Sequence, residues 1–532
     1  MDACAVSTGV PSTREPAHSK KPSSNERMSD AAGGRKTSLA GNLSWAAGGA
    51  VVRLSAQLGC QMILARLLSP ADYGIFGIAL IVATFAAFLS EFGGAAALVK
   101  NKSISVHDVR ANFTLQIVIG LVVMSGLAFA ATSIADLLHK PECAPVIRVL
   151  SINCFVNMLS VVSVRLLARQ MRFREIQVIN IAGYLLGYVA VGIPMAYLQF
   201  GAWSLVAAWF VQTATTLVAS YALIRHNVVP YLSVKHAVAQ FGFGVQTFFS
   251  GILTWAIISA DRIVIARFNT PGNVGLYTNG YNLASAPIWQ IVSSLQQVLF
   301  SNASKDQSDL QRLQNSFQRS LIVVTTFAIP AFFTLAAASA ETVFLIYGAK
   351  WAAAALVVTP LAMAMPFYAM NGVSTPVMWA TGRISLDVMT QSATLVCLLA
   401  GLFLVAHLPM AAAAWVVLAV YIARAIAAVY ITSRLLGHCV DLRHWVTRWI
   451  AAGAATLILQ GLLLQGARHV GAPAVLTLVL AFVVMALVVI VQLRMLARSG
   501  NSLEQEISRA ALGKLASLRS RIGKHGNDRG NS

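Results

Sequence analysis

The chain has 532 residues, of which 57% are hydrophobic and only 11% charged, with a mean hydropathy of +0.70. Soluble domains are about a quarter charged, so a chain this long and this poor in charge cannot bury its apolar surface in one core, and a soluble fold is excluded. The net charge of +20 would suggest nucleic acid in a soluble protein; here it reports membrane topology, and no nucleic-acid partner is expected.

Residues 1–38 are rich in Ser, Pro, Lys and Arg and contain no apolar stretch. They read as a disordered cytoplasmic tail rather than a signal peptide. Fourteen apolar stretches follow, near 43–67, 73–97, 112–136, 144–166, 176–198, 202–224, 243–267, 276–301, 317–339, 353–380, 385–407, 410–434, 446–466 and 472–496. A helix needs about 20 residues to cross about 30 Å of hydrocarbon, and each stretch supplies them. Twelve spans is the alternative count, with the last pair an appendage. The six cysteines include no CxxC pair and sit mostly in apolar runs, as small buried hydrophobes.

Charge sets the expected orientation. With a cytoplasmic N-terminus, 30 of the 39 Lys and Arg residues fall on the cytoplasmic side and seven on the other, with Arg53 and Arg424 inside spans. Both termini are therefore expected in the cytoplasm, and the span count is even. The outer loops are too short for a folded domain. The C-terminal segment places Leu503, Ile507, Ala511, Leu515, Leu518 and Ile522 three or four residues apart with basic residues between. This amphipathic helix lies either on the anionic inner leaflet or free in solvent.

One turn is written twice. ARLLSPADYGIF (65–76) returns as ARFNTPGNVGLY (266–277) at an offset of 201. Ala65, Arg66, Pro70 and Gly74 are matched identically by Ala266, Arg267, Pro271 and Gly275. Each copy opens the second of six spans on the same expected outer face. The alternative is a generic turn that recurs by chance. A duplication offset by an even number of spans implies two lobes of equal hand, related by an axis along the membrane normal. The expected architecture is an all-α polytopic membrane protein of about 14 transmembrane helices, in two pseudo-symmetric six-helix lobes plus a C-terminal helix pair. Its parts are the N-tail (1–38), an N-lobe (39–235), a C-lobe (236–440), the last span pair (441–498) and the basic tail (499–532).

Three spans carry polar stripes: Gly49, Arg53, Gln57 and Gln61; Gln246, Ser250, Thr254, Asp261 and Arg262; and Asn282, Ser285, Trp289, Ser293 and Gln296. In hydrocarbon such groups face protein or water. Arg53 lies about ten residues into its span, hence about 15 Å deep, where an unpaired arginine costs about 2.5–3.5 kcal/mol to insert. Arg424 meets the same cost. Candidate substrate contacts are Arg53, Gln57, Gln61, Asp261, Arg262, Trp289, Arg424 and Arg148, with Glu91 a weaker candidate. The bland reading is a buried arginine held by carbonyls or by Glu91. Prolines at 287, 330, 360, 366 and 376 mark bends. No phosphate loop, HExxH, GxSxG or Cys/His metal cluster is present, so neither an ATP-driven pump nor a membrane hydrolase is supported, and no cofactor or metal is expected.

The stretches LARLLSPADYGIFGIALIVATFAAFLSEFG (64–93), ADRIVIARFNTPGNVGLYTNGYNLASAP (260–287), IYGAKWAAAALVVTPLA (346–362) and WATGR (379–383) resemble the polysaccharide exporters. These are Wzx-type flippases of the multidrug/oligosaccharidyl-lipid/polysaccharide (MOP) superfamily, and the likeness is to the colanic-acid or xanthan exporter branch. The resemblance covers roughly residues 40–435. It implies a V-shaped pair of six-helix lobes and flipping of undecaprenyl-pyrophosphate-linked oligosaccharides across the inner membrane. It also implies membrane lipids, a polysaccharide polymerase and export machinery as partners, and no catalytic residue. Direction would come from a proton or sodium gradient or from consumption of the product. The alternatives are a cation-coupled multidrug antiporter, which would want membrane carboxylates, and a membrane polymerase, which would want a large outer loop.

Overall fold

The computed structural model describes residues 55–92, 105–231, 234–305, 310–499 and 503–513. Among the described residues there is no strand. In chain order the helices are α1 (described over 55–67), α2 (Pro70–Phe92), α3 (Val106–Leu137), α4 (Cys143–Arg169), α5 (Phe173–Tyr197), α6 (Ala202–Leu223), α7 (Val234–Phe268) and α8 (Pro271–Lys305). They continue as α9 (Gln311–Ala337), a short helix Ser339–Tyr347, α10 (Ala349–Ala380), α11 (Ile384–Leu404), α12 (Met410–Leu435), α13 (Leu442–His469), α14 (Ala474–Ala497) and α15 (503–513). Every expected apolar stretch overlaps a helix. Among the described residues, ten helices are long and apolar enough to cross a membrane by length and composition.

Local chemistry explains several boundaries. The Ser69 amide and hydroxyl donate to the Asp72 carboxylate at 2.9 and 2.6 Å, and the Asp72 amide donates to Ser69 Oγ at 3.2 Å. With Pro70 at the first helical position, this caps the start of α2. Before α8 the cap is one-sided: the Asn273 amide donates to Thr270 Oγ1 at 3.4 Å, while the Asn273 side chain donates to Asn269 Oδ1 at 3.3 Å. The Ser105/Asp108 pair caps α3. Two helices widen to π geometry, α5 over Leu185–Gly192 and α9 over Val324–Ala328. Each widening ends two residues before a proline, Pro194 or Pro330. A proline offers no N–H and crowds the carbonyl four residues back, so the preceding turn opens to accommodate it. By contrast α10 runs through Pro360, Pro366 and Pro376, and α8 through Pro287.

Packing repeats along the chain. In the first half α2 packs on α4, α4 on α6, α3 on α4 and α5 on α6; six helices later α8 packs on α10, α10 on α12, α9 on α10 and α11 on α12. The two halves meet where α2 crosses α8. The most enclosed helix is α10, whose Val357, Val358, Leu361, Ala362, Ala364 and Ala369 are fully buried. The α13–α14 pair stands to one side against α9 and the short helix. There Gln460 Nε2 donates to Thr334 Oγ1 at 3.0 Å and to the Ala481 carbonyl at 2.8 Å.

The tail corrects one expectation. Residues 503–513 of α15 neither lie free in solvent nor face only lipid. Glu504 accepts from both terminal nitrogens of Arg448, Glu506 pairs with Arg319 at 2.6 Å, and Ser508 Oγ donates to the Leu493 carbonyl at 2.7 Å. Glu504 and Ser508, one turn apart, are buried against the protein. The apolar stripe that suggested a leaflet is only one side of this helix.

Candidate functional site

The α2–α8 crossing depends on two glycines. A Cβ on Gly74 would stand 1.9 Å from the Pro271 carbonyl oxygen, and a Cβ on Gly275 would stand 1.8 Å from that of Pro70. Only glycine admits backbone this close, and the contact is reciprocal between the two copies of the turn.

The same turns are clasped at their flanks. Arg66 Nη2 donates to the Leu345 carbonyl at 3.1 Å, Lys350 Nζ to the Arg66 carbonyl at 2.9 Å and Trp351 Nε1 to the Ala65 carbonyl at 2.8 Å. Trp351 is fully buried, edge-on to Tyr73 with ring centroids 5.3 Å apart. On the other side Arg267 bonds Nδ1 of His139. Thus Arg66 reaches the α9–α10 connection, and Arg267 the α3–α4 connection six helices earlier. Both arginines are engaged by protein groups.

Between α7, α8, α10, α11 and α12 lies a continuous group of charged and tyrosine side chains. Asp261 is buried: its carboxylate accepts from Tyr277 Oη at 2.8 Å and from the Arg262 amide at 2.8 Å, and lies 3.9 Å from Arg262 Nε. The Arg262 guanidinium donates to the Ile258 carbonyl at 2.8 Å and lies over the Tyr281 ring at 4.4 Å, a cation–π contact. Tyr277 and Tyr281 are one turn apart on α8. Tyr368 follows, 6.0 Å from Tyr421 and 5.2 Å from Trp289 between ring centroids. Arg424, one turn beyond Tyr421, is half-buried and within electrostatic range of Tyr421, Tyr368 and Asp387. Among the described residues no hydrogen bond or ion pair holds its guanidinium.

Asp387 anchors the far end. It is buried, and accepts from Thr375 Oγ1 at 3.1 Å, Trp379 Nε1 at 2.9 Å and Gln391 Nε2 at 2.9 Å. Gln391 Nε2 also donates to Ser250 Oγ at 3.1 Å, while its Oε1 accepts from Thr254 Oγ1 at 3.1 Å. Ser250 and Thr254, expected on an open polar stripe, are bound into this network between α7 and α11. Each described arginine of the group has a buried carboxylate near it, so the interior here is charge-balanced rather than simply cationic. In hydrocarbon such a balanced network is the affordable way to keep charge inside.

The expected residues divide. Asp261, Arg262, Trp289 and Arg424 come together; Trp289 is 40% exposed, with its ring against Tyr368. Arg148 does not join them: it is exposed on α4 and donates to Thr132 Oγ1 at 2.7 Å. Gln57 and Gln61 are half-buried on α1, where the Gln57 carbonyl accepts from Tyr184 Oη at 3.5 Å. Arg53 and the side chain of Glu91 lie outside the described residues. At the offset of 201, Asp261 and Arg262 correspond to Cys60 and Gln61, so this charge pair belongs to the second copy alone. Asp387, Gln391, Tyr277, Tyr281, Tyr368 and Tyr421 were missed from the sequence. Their signal was there in the one-turn spacings Asp387/Gln391 and Tyr277/Tyr281.

Long apolar helices around an interior of balanced charge and tyrosine define a polytopic membrane protein. The family model described as "Polysaccharide biosynthesis protein" matches residues 63–356, more than half of the chain, and the chain belongs to that family. It is 30% identical over 316 residues to the succinoglycan biosynthesis transport protein ExoT of Rhizobium meliloti (strain 1021), covering 59% of this chain and 62% of that protein. It is 25% identical over 309 residues to the lipopolysaccharide biosynthesis protein WzxC of Escherichia coli (strain K12), covering 58% and 63%. The chain thus spans somewhat under two thirds of the length of these relatives. In fold it is similar to the lipid II flippase MurJ in an inward closed conformation, with TM-score 0.65 and 14% identity over 84% of this chain and all of that one. It is also similar to an inward-facing multidrug resistance MATE family transporter of the MOP superfamily, with TM-score 0.57 and 14% identity over 73% and 98%.

Proposed function

We propose that the chain is an inner-membrane flippase that moves a polyprenyl-pyrophosphate-linked oligosaccharide from the cytoplasmic to the periplasmic leaflet by alternating access. The moving parts are two six-helix lobes, 39–235 and 236–440, with the span pair 441–498 as an appendage and both termini cytoplasmic. The packing pairs that recur six helices apart support the lobes. The charge distribution supports the orientation and makes the clasped turns the outer face. With Arg66, Lys350, Trp351 and Arg267 holding that face together, the conformation is closed outward.

The observation that carries the reading is the Asp261–Arg262–Tyr281–Tyr368–Tyr421–Arg424 group. A pyrophosphate and its sugars cannot enter hydrocarbon, since an unpaired charge there costs tens of kcal/mol by Born solvation. Arg424, held by no hydrogen bond among the described residues, is the first anion contact. Arg262 is the second, once it exchanges the Ile258 carbonyl for a phosphate oxygen. Trp289 and the tyrosines offer ring faces to sugars. The lipid tail stays in the bilayer, no bond changes, and the product passes to a polymerase and export machinery. The test is Arg424→Gln and Arg262→Gln in the native host. At equal protein level, surface polysaccharide should fall at least tenfold; wild-type amounts would remove both residues from the mechanism.

Two buried carboxylates, Asp261 and Asp387, favour a second reading, a cation-coupled drug antiporter. Sensitivity of a deletion host to cationic drugs, unchanged when the chain is restored, rejects it.

A further inference from the structure

α15 packs against the end of α14 through Ser508 and the Leu493 carbonyl, and meets the amphipathic first half of α9. α9 and α15 contact through Arg319 and Glu506, which pair at 2.6 Å with side chains 47% and 60% exposed. Beside them is an open cleft of about 330 Å³, lined by Arg319, Glu506, Ile507, Ala510 and Ala511. Its lining joins one guanidinium and one carboxylate to three apolar side chains. Two residues away, on the other side of the helix, the geometry differs: Glu504 holds Arg448 through both oxygens, with the Glu504 side chain 9% and the Arg448 side chain 33% exposed. The helix therefore has a firm anchor at Glu504 and a weak contact at Glu506.

We propose that this cleft is a binding site for an anionic phospholipid, whose phosphate exchanges with Glu506 for the Arg319 guanidinium while its first acyl carbons lie against Ile507, Ala510 and Ala511. Four observations carry it. An ion pair this exposed is weak, so its carboxylate is readily displaced. A guanidinium binds phosphate through two parallel hydrogen bonds. The cleft residues 506–511 follow closely on the end of the apolar helix α14 at Ala497, where a spanning segment gives way to polar chain. The surrounding sequence supplies Arg498, Arg509, Lys514, Arg519 and Arg521, which concentrate anionic lipid near the surface. Because Glu504 stays on Arg448, α15 remains docked while Glu506 exchanges, so lipid occupancy alters the α9–α15 contact without releasing the tail.

The experiment uses the full chain purified in detergent. Retention of phosphatidylglycerol and of phosphatidylcholine is counted by native mass spectrometry, with inorganic phosphate as competitor. Wild type should retain phosphatidylglycerol in preference to phosphatidylcholine. Arg319→Gln should reduce that retention at least fivefold. Glu506→Gln, at an exposed position, should raise it at least twofold, a gain that misfolding cannot produce. Equal retention in all three proteins, or a fall in both variants, overturns the site. Displacement of phosphatidylglycerol by an equal concentration of inorganic phosphate overturns the lipid as its ligand.

Discussion

Gly74 and Gly275 face one another across the α2–α8 crossing, and each lies where the other copy's proline carbonyl leaves no room for a Cβ. A methyl at either position pushes the two helices apart. Gly74→Ala and Gly275→Ala should each cost about 1–3 kcal/mol, as overpacking does, read as a fall in thermal unfolding temperature in detergent. Gly77→Ala is the control, since its Cβ would meet only the Thr278 side chain at 3.2 Å. Equal stability of all three variants would show that the crossing is not tight.

The clasp of Arg66, Lys350 and Trp351 gives a second prediction. Trp351→Phe keeps the ring against Tyr73 but removes the donor to the Ala65 carbonyl, and Lys350→Met removes another. Together they should favour opening of the turn face. A single cysteine replacing Ala349, next to the clasp, should then label faster with a membrane-impermeant maleimide, by about tenfold if about 1.4 kcal/mol is lost. Unchanged labelling would mean that the clasp does not hold the closed state.

Asp387 and Arg424 should behave as partners. Asp387→Asn removes a carboxylate within electrostatic range of the Arg424 guanidinium and should lower the unfolding temperature in detergent. Asp387→Asn with Arg424→Gln should recover most of that stability while remaining inactive. Equal unfolding temperatures for the single and double variants would show that the two charges do not compensate each other.

Docking of α15 should depend on pH. Burial pushes the Glu504 carboxyl up, but hydrogen bonds from Arg448 and Ser499 and the charges of Arg448 and His444 outweigh it, leaving its pKa below the ordinary glutamate value. A carboxylate depressed in the docked state stabilises docking above its free pKa, about 4.3, and that contribution is lost as pH falls through the docked value. Protease cleavage within 503–513 should therefore be slow at pH 7 and accelerate below about pH 4.3, and Glu504→Gln should remove the dependence. An acid dependence that persists in Glu504→Gln would place the titration elsewhere.

Much of this was legible in the chain. Helix periods, the Ser69/Asp72 and Thr270/Asn273 caps and the repeated turn are local patterns, and local patterns survive in one dimension. The clasp was not legible, because Trp351 and Ala65 are distant in sequence and no spacing rule links them. Asp387 was missed for another reason. It lies just after the start of a helix, where a carboxylate ordinarily serves as an end cap facing water; here α7 and α10 cover it. The tail misled because its apolar stripe is conspicuous, whereas Glu504 and Ser508, which dock it, look like surface residues. The resemblance to polysaccharide exporters named the family, but not which of the two repeated turns has the charge pair before it. That followed only when Asp261 and Arg262 were set beside Cys60 and Gln61.

The most direct test of the account reconstitutes the full chain in liposomes loaded with a polyprenyl-pyrophosphate oligosaccharide, and follows how fast the inner-leaflet sugar becomes accessible to an externally added glycosidase. The account predicts acceleration of at least tenfold over protein-free liposomes, abolished by Arg424→Gln with Arg262→Gln. A wild-type rate equal to that of empty liposomes, with the protein folded and inserted, would contradict it.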